Sequence, residues 1–79
     1  MNQNQEEIKK KLLARVLIGA DDETSRVILS LGEEMTIYRL LVVVAKIDSH
    51  LSRGLLVMKY GVTEEQARQA RREANKKIL

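Results

Sequence analysis

The chain has 79 residues, 44% hydrophobic and 32% charged, with a formal net charge of +3, which is material for one small domain with enough apolar content to fold. It has no cysteine, which excludes disulfide scaffolds, thiolate zinc sites, iron–sulfur clusters and cysteine nucleophiles, and its single histidine makes no polyhistidine metal site. Two tyrosines with no Phe or Trp do not provide a stacking platform for single-stranded nucleic acid.

The N-terminal segment 1–11 is polar, and the short apolar stretch after it carries Arg15, so it does not read as a signal peptide. No segment approaches the roughly 20 apolar residues that a bilayer span requires. The longest clean apolar run is residues 40–45. The expectation is a cytoplasmic, soluble protein of one helical domain over 1–79, with no membrane partner.

Spacing predicts a first helix over 6–18. Ile8, Leu12, Leu13, Val16 and Leu17 share one face, with Glu6 and Glu7 in the first turn and Gly19 as a stop. Asp21 or Asp22 is a cap for a second helix running to Leu31, closed by Gly32, with Val27, Ile28 and Leu31 as its buried face. Residues 26–31 also contain the β-branched types of a strand; the cap before them and the glycine after them favour helix. The third helix, over 34–52, is the most apolar. Ile37, Leu40, Leu41, Val44, Ile47 and Leu51 keep a helical spacing, and Val42 and Val43 fill part of the opposite side, as expected of a central, surrounded element.

Gly54 is expected to break or bend the chain before a short fourth helix with Leu55, Leu56, Val57, Met58 and Tyr60, which Gly61 closes. Thr63-Glu64-Glu65-Gln66 has the capping-box pattern, with Val62 and Ala67 placed as a hydrophobic staple. The fifth helix starts at Glu64 and runs towards Ile78 along a stripe of Ala67, Ala70, Ala74 and Ile78. The fold class read from this pattern is an all-α bundle of four to five helices.

Residues 53–72 carry the most information about function. A short apolar helix is followed by Tyr60-Gly61-Val62-Thr63 and a basic helix, and this resembles the helix-turn-helix unit of bacterial DNA-binding regulators. The resemblance implies that the second helix enters the major groove and that its exposed face meets DNA through Thr63, Glu65, Arg68, Gln69, Arg72 and Lys76. Arginine reads guanine bidentately and glutamine reads adenine, while Lys76 and Lys77 suit phosphate. Met58-Lys59-Tyr60-Gly61 followed by residues 63–70 also looks like part of a ubiquitin-associated domain, which is the general chemistry of a glycine turn before an alanine helix.

Charge is segregated along the chain. Residues 62–79 hold five Lys/Arg and three Glu, a net +2, while residues 21–36 hold one Arg and five acids, a net −4. A basic last helix is also commonly just a solvated face. Asp48, Ser49 and His50 have the residue types of a hydrolase triad, but neighbours on one helix do not converge on a substrate. Asp21, Asp22 and Glu23 read as a cap rather than a metal site. No catalytic residue, cofactor or metal is expected. Two functions remain: a small DNA-binding transcriptional or replication regulator, dimeric and using its C-terminal helix, and a helical protein–protein interaction module. The partners expected are double-stranded DNA and a second copy or a helical protein.

Overall fold

Helix α1 (Gln5–Leu17) buries Ile8 and Leu12, one turn apart on the predicted face, and has Glu6 and Glu7 in its first turn. It stops at Leu17, and Gly19 turns the chain with φ 85°, a left-handed conformation that suits glycine. The computed structural model describes residues 5–76, which form five α-helices with no strand among them.

Asp21 is the cap of α2 (Asp22–Glu34), and its carboxylate accepts the Thr24 N–H at 2.7 Å. Residues 26–31 are helical. Gly32 does not end this helix, contrary to the sequence expectation; α2 continues to Glu34 and ends at Met35. Gly32 is buried against α1, and a Cβ built there would lie 2.4 Å from Leu13 Cδ2, so the missing side chain permits the close approach of the two helices. The side of α2 facing α1 is therefore centred on Gly32. Leu31 and Val27 point about 100° and 140° away from it round the helix. Both were expected in the core, and they are 62% and 54% exposed.

Thr36 caps α3 (Ile37–Ile47), its hydroxyl accepting the Arg39 N–H at 3.2 Å. The helix is shorter than the predicted 34–52, because Met35 and Thr36 separate it from α2 and Asp48 ends it. Leu40, Leu41, Val42, Val44 and Ala45 are buried, making α3 the central element, packed against α1 and α5. Ile47, placed in the core by its spacing, occupies the last turn and stays 45% exposed. Leu51 packs on the core from the following loop.

Ser52 caps α4 (Arg53–Tyr60), and Gly54 lies inside its first turn rather than breaking the chain. Gly61 closes α4 with φ 75°, donating its N–H to the Val57 carbonyl at 2.9 Å. Val62 drops into the core. The capping box at the start of α5 (Glu64–Ala74) is fully formed: Gln66 N–H to Thr63 Oγ1 at 3.1 Å, and Thr63 N–H to Gln66 Oε1 at 2.9 Å. Ala67 and Ala70 are fully buried, which lets α5 sit close to α3 and α4. The helix ends at Ala74, short of Ile78, which lies outside the described residues.

Thr63→Ala is expected to lower stability by about 1 kcal/mol through loss of the cap. Gly61→Val is expected to lower it further, because a β-branched residue resists the left-handed region. Thermal unfolding measures both. An unchanged melting temperature for Gly61→Val would rule out the left-handed turn at this position.

Candidate nucleic-acid interface

The buried alanines of α5 fix which side of the helix faces outward. Glu65, Arg68, Gln69 and Arg72 are exposed there, and Lys76 is exposed just beyond the helix end. Thr63 is exposed too, but its hydroxyl is committed to the cap. Glu65 gathers its neighbours, accepting from Arg68 Nε at 3.1 Å and Gln69 Nε2 at 3.0 Å, and also from Arg68 Nη2. Arg68 holds the Glu65 carboxyl below its ordinary pKa, and Glu65 raises that of Arg68. Lys76 Nζ lies 2.8 Å from Glu73 Oε2, with the same mutual effect. Ion pairs this exposed contribute little to stability and exchange readily for another partner. The Arg72 guanidinium has no hydrogen-bond partner among the described residues.

The structure adds two cations that the sequence reading did not single out. Arg39 and Lys46, both exposed on α3, lie close enough to Glu73 to help hold its carboxyl below the ordinary value, after the larger effect of Lys76. Tyr38, Gln69, Arg72, Glu73 and Lys76 line a shallow groove between α3 and α5. Three cations, Arg39, Lys46 and Lys76, thus act on one carboxylate, and Arg72 lines the groove beside it. The signal was present in the seven-residue spacing of Arg39 and Lys46, which puts both on one side of α3.

Arg71 is the basic residue of α5 that does not face solvent freely. Its guanidinium donates to the Ala45 carbonyl at 2.8 Å, to the Asp48 carbonyl at 3.2 Å and to the Leu51 carbonyl. Ala45 belongs to the last turn of α3, where carbonyls lack an intrahelical donor, while Asp48 is the cap, its carbonyl also accepting the Leu51 N–H at 2.9 Å, and Leu51 lies in the loop beyond. The Asp48 side chain points to the other side, accepting from Arg15 Nε and Nη2, each at 2.8 Å. This paired hydrogen bond keeps the Asp48 carboxyl below its ordinary pKa, against the effect of its burial. His50 is exposed and Asp48 is bound to Arg15, so residues 48–50 do not form a triad.

Among the described residues, no three His, Cys, Asp or Glu side chains group closely enough to hold a metal ion. No helix there is long and apolar enough to cross a membrane. No protein-family model, curated protein or solved structure matches the chain.

Proposed function

We propose that the chain binds double-stranded DNA as a small regulator, presenting the outer face of α5 to the major groove and the cations of the α3–α5 groove to phosphate. The observation carrying this reading is the action of Arg39, Lys46 and Lys76 on Glu73, with Arg72 lining the same groove, beside a helix whose start is fixed by a three-residue connection, Gly61-Val62-Thr63. A short connection of this kind holds a reading helix at a set angle to its neighbour. Gln69 and Arg68 then supply base contacts once Glu65 releases them, and the groove cations position the backbone. Glu64 and Glu65 at the helix start oppose phosphate and limit non-specific affinity.

The test is duplex binding measured across a salt series. Arg68→Ala with Arg72→Ala is expected to weaken binding by about 1–3 kcal/mol for each side chain that reads a base. Arg39→Ala with Lys46→Ala is expected to weaken binding to all sequences and flatten the salt dependence, because fewer counterions are released. Glu65→Gln is expected to raise non-specific affinity. Absence of binding by the wild type at low salt, where attraction is strongest, would end this reading.

A second reading, a protein–protein interaction module, is favoured by apolar side chains left in solvent, with Ile18 71% and Met58 82% exposed. Its affinity would respond to apolar truncation and little to salt.

A further inference from the structure

We infer that the chain associates with a second copy of itself through two unlike surfaces, an acidic apolar ridge on α2 and a basic apolar groove between α1 and α4. This inference stands apart from the DNA reading and is tested without nucleic acid.

The ridge is Glu23, Val27, Leu31 and Glu34, all exposed. Their spacing of four, four and three residues places them in one row along the helix. The two apolar side chains occupy the middle of the row, and a carboxylate stands at each end. They are accessible because α2 packs chiefly on α1, through the side centred on Gly32.

The groove is lined by Lys11, Ala14, Arg15 and Ile18 of α1 and its following turn, and by Lys59 and Tyr60 of α4. Arg15 is engaged by Asp48, which leaves Lys11 and Lys59 as the exposed cations of the groove. The Lys59 ammonium sits 5.6 Å from the centroid of the Tyr60 ring, at the groove wall. Leu55 and Met58, 46% and 82% exposed, extend apolar surface along α4 beside Lys59.

Charge identifies the occupant. The segment carrying the ridge has a net charge of −4, whereas the exposed charges of the groove are both positive. An antiparallel pairing of ridge with ridge sets Glu23 of one copy against Glu34 of the other. A pairing of groove with groove sets lysine against lysine. Only ridge on groove covers both apolar surfaces and brings opposite charges together. Each copy carries both halves of the interface, so the association is head-to-tail.

Sedimentation velocity over a concentration series distinguishes the outcomes. The wild type is expected to grow in size with concentration, less so at high salt. Glu23→Lys with Glu34→Lys makes both surfaces basic, and Lys11→Glu with Lys59→Glu makes both acidic. Each double variant alone is expected to associate about tenfold or more weakly. An equimolar mixture of the two is expected to recover the association, because the acidic groove of one variant then faces the basic ridge of the other. All four sites are exposed, and circular dichroism confirms that each variant folds. A monomeric wild type at every concentration, double variants that associate like the wild type, or a mixture no larger than its components would each overturn the inference.

Discussion

Replacing Arg71 by alanine is expected to lower the melting temperature by roughly 10–15 °C, equivalent to about 2–3 kcal/mol for a domain of this size. The guanidinium serves three carbonyls of one chain segment, those of Ala45, Asp48 and Leu51. Removing it leaves the Ala45 and Leu51 carbonyls without this donor, with Asp48 keeping only the Leu51 N–H, and also detaches α5 from the loop that follows α3. Arg71→Lys is expected to recover only part of the loss, since an ammonium cannot reproduce a planar fork of donors. The neighbouring Arg72→Ala, an exposed substitution, is the control and is expected to change stability by less than about 0.5 kcal/mol. Equal effects of the two replacements would show that the Arg71 clamp contributes nothing.

Asp48→Asn is expected to lower the melting temperature by roughly 5–10 °C at neutral pH, and to do so in a pH-dependent way. The Asp48 carboxyl is held below its ordinary pKa by the paired hydrogen bond from Arg15. A group depressed in the folded state contributes its full stabilisation above the unfolded pKa, near about 4, and loses it as the pH falls through the lower folded value. The gap between wild type and Asp48→Asn is therefore expected to be constant from neutral pH down to the ordinary carboxyl range and to narrow below it. Melting curves recorded from pH 7 to strongly acidic conditions measure this. A gap that does not narrow in acid would mean that the ionised form of Asp48 is not what Arg15 stabilises.

The elements most legible in the sequence are those whose determinants lie within a few residues of one another. Thr63 and Gln66 are three apart, and each satisfies the other's backbone, so the start of α5 could be read directly. Gly61 and Asp21 act equally locally. Gly32 looked like another helix stop, yet its reason is Leu13, on a different helix. That packing is invisible until α1 and α2 are placed side by side. The same misreading put Val27 and Leu31 in the core, because α2 is apolar over a wider arc than α1 covers.

The basic residues divide in the same way. Arg71 and Arg72 are adjacent and chemically identical, and only the fold separates a structural clamp from an exposed cation. The acceptors of Arg71 lie 20 to 26 residues earlier in the chain. The union of Arg39 and Lys46 with the surface of α5 likewise depends on how α3 lies against α5, which periodicity along one helix does not specify. The exposed face of α5 itself was legible, since its alanine stripe determines the opposite side.

The narrow seam at Gly32 has a bearing on how the molecule breathes. The seam and the Lys9 Nζ hydrogen bond to the Glu33 carbonyl at 2.8 Å hold α2 to α1, while the clamps of Arg15 and Arg71 tie α1, α3 and α5 to one another. Native proteins open in cooperative units whose free energies follow how much each unit buries. The amides of α2 are therefore expected to exchange faster than those of α3, through an opening in which α2 detaches and recloses while the rest of the bundle stays folded, and equal protection of the two helices in native-state hydrogen exchange would overturn this.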